Sequence, residues 1–518
     1  MTINERRSLP LWKKILAIFI SILAFGFQAL LIIFFFVVIQ SYESDFYKTV
    51  PGILYLLSEV VGVSYVLYIL TRPIALNYKF TWTFLILLSP IPFCILYTLN
   101  SNSKKLSRRK QKMFDKAFKE LNIKYKETVD KDYDLYPIIK TIKSDYEQLH
   151  VYSDTKFTFF KDALLKHVDM LEELKKAEKY ILLEYFIISE GKVMDSIYEI
   201  LNERANNGVK IYFLYDEVGS RSYAVRKLVK KLSLIKNISI NNYEPLGSNP
   251  KLLLNYRDHR KICVIDGKIA YCGGDNLADE YVHYKERFGY WRDNCGKYEG
   301  PAVKSFEFLF SQMWYLSTKE LIFDNLSKIN YEHYGESGHV IVFGDGPSIK
   351  SYPAYDSFMA MILNAKKYLY ISTPYLIIDE AMLKALELKS KSGVDIKILM
   401  PGIPDKKPVY YMSRSSYSRL LKVGIKIYEA TGCFNHAKNI IADDRYAFVG
   451  TINMDYRSLF LHYECGAIIM DNPEIYKIRS DFLKSISKSE EVLKEEWENR
   501  PLIQKIIAFI LNIIAPFF

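Results

Sequence analysis

The same polar skeleton, HxKxxxxD, occurs twice in this sequence, at His259-Arg-Lys261-Ile-Cys-Val-Ile-Asp266 and at His436-Ala-Lys438-Asn-Ile-Ile-Ala-Asp443. Chance would supply roughly 0.12 such matches in this composition, even with Arg allowed for Lys and Glu for Asp. Each copy runs on to glycine and asparagine: Gly273-Gly274-Asp275-Asn276 in the first and Gly450-Thr451-Ile452-Asn453 in the second. Apolar runs repeat as well. Lys179 to Ile188 resembles Lys367 to Ile378, and Gly208 to Asp216 resembles Gly393 to Pro401, each a strand-like run entered from a helical stretch. Alternating helices and apolar strands in two copies predict an α/β fold of two pseudo-twofold-related α/β sandwich domains. On a strand, residues two apart share a face, so His259 and Lys261, and equally His436 and Lys438, can reach one phosphate. Asp266 and Asp443 read either as local braces of the motif or as turn residues before Gly267 and Asp444.

The first hundred residues have a different character. Residues 15–39 carry no charge and are long enough at helical rise to cross a hydrocarbon core of about 30 Å. A second run, 50–70, is interrupted only by Glu59; a third, 80–99, is broken by Pro90 and Pro92, which suits a re-entrant hairpin better than a continuous span. Charge sets the orientation. Arg6, Arg7, Lys13 and Lys14 precede the first run, Arg72 and Lys79 follow the second, and residues 101–120 carry eight cations against two anions. By the distribution of Lys and Arg, the N-terminus, both ends of the third run and the repeat region all face the cytoplasm. The expected order is a membrane region over 1–100, a basic linker over 101–150, repeat domains over 151–330 and 331–500, and an apolar interfacial helix over 501–518. The six cysteines show no CxxC or metal-ligand spacing and read as free thiols of a reducing compartment.

The duplicated motifs with their downstream asparagines resemble the phospholipase D superfamily, and essentially the whole chain is similar to the bacterial cardiolipin synthases. Supporting stretches are Leu183-Glu-Tyr185, Trp291-Arg-Asp293, Thr373-Pro-Tyr375, Pro401-Gly-Ile-Pro-Asp405 and Gly450 to Ser458. The chain departs from the family's pattern at His462, where Asn is commoner, and at Asp275, which replaces a commonly apolar residue. The resemblance makes His259, Lys261, Asp266, His436, Lys438 and Asp443 the candidate catalytic set. It implies that His259 attacks phosphorus to form a phosphohistidine while His436 protonates the leaving glycerol, or the reverse. Lys261, Lys438, Asn276 and Asn453 would hold the phosphoryl oxygens, and Asp293 and Glu464 would be partners for the imidazole Nδ1 atoms. No cofactor is expected, and no carboxylate cage for a metal is evident in the sequence.

The implied reaction is phosphatidyl transfer between two phosphatidylglycerol molecules, giving cardiolipin and glycerol, at a bacterial cell membrane with multi-pass anchoring and cytoplasmic catalytic domains. Anionic membrane lipids are the expected partners. Motif residues alone leave open a phospholipase D that uses water. A nuclease of the same superfamily would carry a basic groove and no membrane segments, so the near-neutral repeat region argues against nucleic acid as a partner.

Overall fold

The computed structural model describes residues 45–72, 76–100, 111–116, 119, 136–143, 150–243, 256–322, 334–335, 338–349 and 351–513. The apolar run at 15–39 lies outside them. Helix α1 (Asp45–Leu70) is long and apolar enough to cross a bilayer over Ile53–Leu70. The run broken by prolines forms two helices, α2 (Leu76–Leu88) and α3 (Pro90–Asn100), with Ser89 between them. They fold back on each other, since the rings of Trp82 and Tyr97 meet at 5.3 Å. At about 1.5 Å per residue each is shorter than a hydrocarbon core is thick. Helix α1 runs alongside this hairpin: Lys79 Nζ donates to the Leu70 carbonyl at 2.8 Å, and the Tyr65 and Thr98 hydroxyls lie 2.9 Å apart. Gly62 allows the close approach at the bend, because a Cβ there would sit 2.9 Å from the Pro90 ring.

The repeats build two mixed sheets with the same strand order. In the first lobe the order is Lys156–Phe160, Cys295–Glu299, Ile269–Gly273, Lys261–Ile265, Tyr180–Tyr185, Lys210–Asp216 and Ile238–Tyr243. In the second it is His339–Asp345, Glu464–Met470, Tyr446–Gly450, Asn439–Ala442, Tyr368–Ser372, Asp395–Pro401 and Lys426–Ala430. The second sheet gains an edge strand at each side, Val151–Tyr152 and Glu490–Glu491. The central strands are continuous apolar runs because each sheet is covered on both faces. Helices pack on the outer faces, and the inner faces pack on each other through a shared core that includes Ala270, Cys272, Ala447, Val449, Cys465 and Ala467. Small side chains let the sheets close, bringing the Cys272 and Cys465 sulfurs to 3.6 Å as thiols. All six cysteines are buried and unbridged.

Two segments behave differently from the sequence expectation. Helix Pro137–Lys143, inside the expected basic linker, buries Ile138, Ile139 and Ile142 in the second lobe's outer core. The C-terminal helix Leu502–Ile513 docks on helix Lys407–Ser413 and touches α2, with Leu511 packed beside Ile377, Met412 and Tyr456. Its opposite side leaves Leu502, Ile503 and Ile506 exposed.

Asp266 and Asp443 brace the motifs at the ends remote from the imidazoles. Asp266 accepts from the backbone N–H groups of Glu178, Lys179 and Tyr180, and Asp443 from those of Lys366, Lys367 and Tyr368, all at 2.7–2.9 Å. Each also opens the turn that follows its motif strand, with φ of 53° at Asp266 and 58° at Asp443, so it is a turn residue and a brace at once, fixing the start of the neighbouring strand. Replacing Asp266 by Ala orphans three donors, one of them buried, and should lower stability by roughly 2–4 kcal/mol. Asp443→Ala exposes its donors to water and should cost less, about 1–2 kcal/mol, as read from thermal unfolding midpoints.

Candidate active site between the lobes

The two motifs meet across the pseudo-twofold axis because each enters its strand beside a segment from the other lobe. Cys433–Asn435 pairs in parallel with Tyr290–Arg292, and His436 N donates to the Arg292 carbonyl at 2.7 Å. In the mirror-image arrangement, Asp258 bridges to Tyr463 and His259 N donates to the Tyr463 carbonyl at 2.9 Å. Each pairing carries the next residue of the partner segment, a carboxylate, under the imidazole. His436 Nδ1 lies 2.6 Å from Asp293 Oδ2, and His259 Nδ1 lies 2.8 Å from Glu464 Oε1. The carboxylates are therefore exchanged: each lobe orients the other lobe's histidine. An Nδ1–H donated to a buried carboxylate leaves Nε2 unprotonated, the tautomer a nucleophile or base requires.

Both carboxylates are themselves held. Glu464 accepts from Ser458 Oγ at 2.7 Å and from Thr451 Oγ1, and Asp293 accepts from Asn294 N at 2.9 Å. The glycine of the first copy finds its reason here, since a Cβ on Gly274 would lie 2.1 Å from Asp293 Oδ1. Of the asparagines, Asn276 accepts from Ile187 N at 2.9 Å and donates to the Tyr281 hydroxyl at 2.7 Å, tying its loop to the site. Asn453 is buried, with its Oδ1 unpaired by any protein group.

Lys261 and Lys438 open the motif strands almost fully buried, and each ammonium donates to the carbonyl of its own motif histidine, Lys261 at 2.6 Å. Burial disfavours the charged forms of all four basic groups. It pulls Lys261 down to about 8 and, helped by the charge of Lys261, Lys438 down to about 7. His259 and His436 fall well below the usual imidazole value, by burial first and then by the nearby lysines. Burial acts oppositely on the partners, raising Asp293 to about 6 and raising Glu464 against the pull of Lys261. Asp293 and Glu464 offset these cations only in part, since burial still draws both lysines down, and a phosphodiester between them would restore their protonation.

The surroundings of the two imidazoles differ. Tyr281, Trp291 and Phe434 ring His436 at 5.5–5.7 Å, whereas His259 meets Phe186 at 4.9 Å and His462 at 5.8 Å. His259, His462 and Glu464 bring ligating atoms within 4.8 Å of one another, a spacing that suits a cation, although both Glu464 oxygens are already bonded to His259, Thr451 and Ser458. Between the motif residues, Arg260 is fully buried and donates to the carbonyls of Leu309 at 2.9 Å and Glu464 at 3.2 Å. Glu184 lies 3.9 Å from it, its carboxyl pushed well up by burial and by Asp258. The second lobe has Ala437, Ser372 and Asn435 at these places, with Asn435 Nδ2 donating to Ser372 Oγ at 3.1 Å.

Comparison with known proteins agrees with this architecture. Residues 170–314 and 358–486 match the family model described as cardiolipin synthase, PLD-like domain. Cardiolipin synthase 2 of Bacillus anthracis is 32% identical over 453 residues, covering 84% of this chain and 86% of that protein. A cardiolipin synthase of Geobacillus is 36% identical over 354 residues, covering 67% and 69%. An uncharacterized protein of Streptococcus mutans is 39% identical over 369 residues, covering 71% and 79%. The crystal structure of phosphatidylserine synthase from Haemophilus influenzae superposes with a TM-score of 0.56 at 14% identity, covering 73% of this chain and 99% of that one, and so shares the fold. Together with the family match and these relatives, the duplicated lobes with one site between them mark a phosphatidyltransferase of the phospholipase D type. The chain belongs to the cardiolipin synthase family.

A lysine must be protonated to attract a phosphodiester, so the free site should lose affinity as pH rises through the lowered value of Lys438, about 7. kcat/KM should fall on that alkaline side. Lys438→Arg keeps its charge and should move the limb upward by at least about one pH unit, measured on a phosphodiester whose own charge does not change over the range.

Proposed function

We propose that this site transfers a phosphatidyl group from one phosphatidylglycerol to the hydroxyl of another, releasing glycerol and forming cardiolipin. The observation that carries the reading is the reciprocal exchange of carboxylates, which prepares two oriented imidazoles in one pocket lined by two buried lysines. His259 attacks phosphorus through Nε2, and the bond from phosphorus to the glycerol oxygen breaks as His436, protonated in the substrate complex, gives that oxygen its proton. The acceptor hydroxyl then returns a proton to His436 as its oxygen displaces His259 from phosphorus. Lys261 and Lys438 carry the charge on the non-bridging oxygens. Asp293 and Glu464 hold the rings and offset the positive charge formed on each.

Lipid as both donor and acceptor suits the apolar elements beside the lobes. Helix α1, the α2–α3 hairpin and the exposed side of the C-terminal helix support a location of the catalytic lobes at a cell membrane, and the basic flanks favour its cytoplasmic side. Purified protein given phosphatidylglycerol in mixed micelles should yield cardiolipin and glycerol in equal amounts. Phosphatidic acid with glycerol and no cardiolipin would instead identify a hydrolase.

The C-terminal helix supplies a second test. Leu502, Ile503 and Ile506 are exposed by 70, 62 and 45%. Exchanging all three for Ser removes several kcal/mol of apolar insertion at roughly 1.5–3 kcal/mol per side chain. Turnover on bilayers should drop about tenfold or more, while a soluble phosphodiester is cleaved at the original rate; equal losses on both would show that the helix serves folding alone.

A further inference from the structure

The pseudo-twofold symmetry also breaks two residues before each of the exchanged carboxylates, beside the reacting centre. Trp291 stands two residues before Asp293, and its indole packs 5.5 Å from the His436 ring with 6% exposure. At the same place in the other lobe, two residues before Glu464, stands His462, half-buried, with its ring 5.8 Å from that of His259. The backbone fixes this position. His462 N donates to the Arg457 carbonyl at 2.7 Å, and on either side the Leu461 carbonyl accepts from Tyr256 N and Tyr463 N donates to the Arg257 carbonyl, both at 2.8 Å. An indole seals its side of the pocket. An imidazole at the rim offers a hydrogen-bond donor, and one bearing charge when protonated.

The reaction proposed above brings two phosphates together. The acceptor phosphatidylglycerol carries its own phosphodiester three carbons from the attacking hydroxyl, which sets the two phosphorus atoms on the order of 6 Å apart. The interior cations, Lys261 and Lys438, and both motif imidazoles are engaged with the reacting phosphate, so the second anion needs a donor at the rim. Tyr281, Trp291 and Phe434 line the His436 flank with aromatic rings, whereas the His259 flank has the polar ring of His462 beside that of Phe186.

We propose that His462 determines acceptor specificity by binding the acceptor's own phosphodiester, so that a phospholipid is preferred over a neutral alcohol. The inference rests on the phosphatidyl-transfer reading. It gives His462 no part in bond making: an acceptor lacking the second phosphate reacts through the same four groups.

The test is a competition. Phosphatidylglycerol in mixed micelles is supplied together with a small neutral primary alcohol, and cardiolipin and phosphatidyl-alcohol are quantified from the same reaction. A lost charge-assisted hydrogen bond corresponds to about tenfold or more. In His462→Phe the ratio of cardiolipin to phosphatidyl-alcohol should therefore fall about tenfold or more, with phosphatidyl-alcohol formation kept within about threefold. His462→Arg, which restores a cationic donor, should recover the ratio. A ratio unchanged in both variants overturns the proposal, whether the two products fall together, as for a purely structural residue, or neither falls. If the unaltered protein makes phosphatidyl-alcohol and phosphatidic acid but no cardiolipin, the reading of phosphatidylglycerol as acceptor itself fails, a result told apart by needing no variant.

Discussion

Two hydrogen bonds that cross between the lobes, Asp293 to His436 and Glu464 to His259, govern the rest of this structure. Each joins a fully buried carboxylate to an imidazole that its own lobe cannot supply. Were the lobes to part, both carboxylates would be left without their strongest acceptor role and both histidines without orientation, at a cost of a few kcal/mol for each buried charge. The face-to-face closure of the sheets through Ala270, Cys272, Val449 and Cys465 is what allows these distances, and Gly274 is what leaves room for the Asp293 carboxylate. Fold and site are here one arrangement. The same closure excludes water, and the exclusion lowers the lysines and histidines together.

The lobes share a strand order but not an electrostatic interior. The first places Arg260, Glu184, Asp258 and the Arg257–Asp216 ion pair beneath its histidine, with Arg257 Nε 2.9 Å from Asp216. The second has the methyl group of Ala437, the hydroxyl of Ser372 and the amide of Asn435 in place of Arg260, Glu184 and Asp258, and Phe434 and Pro401 in place of the ion pair. Duplicated motifs facing one phosphate have no intrinsic reason to differ in role. A charged bed under one imidazole and an aromatic ring around the other supply that difference, and they support unequal duties for His259 and His436.

Much of this was legible in the sequence because the signals are periodic or paired. Repeated apolar runs became the parallel centre of each sheet, and the two polar skeletons became one pocket. Asp293 and Glu464 were recognisable as partners for the imidazoles, but which carboxylate serves which histidine was not, since exchange between lobes leaves no trace in local spacing. The burial of Arg260 was unreadable for a related reason: only the tertiary fold brings the Leu309 and Glu464 carbonyls to satisfy a guanidinium there. Helix Pro137–Lys143 was hidden by its basic neighbours, although its isoleucines carry the pattern of a buried face. The prolines at 90 and 92 did foretell a bend, and the chain folds back there.

The order of strands along the chain has a consequence for synthesis. Val151–Tyr152 joins the second sheet before the first lobe has begun, by pairing with residues nearly two hundred positions later. His259 likewise waits for Tyr463, its backbone partner, and for Glu464. A ribosome that has delivered the whole first repeat has thus delivered a lobe with an unpaired histidine and an edge without its neighbour. No productive centre exists on the nascent chain until the strand Glu464–Met470 emerges, so the first repeat alone can begin no chemistry and must wait for the second.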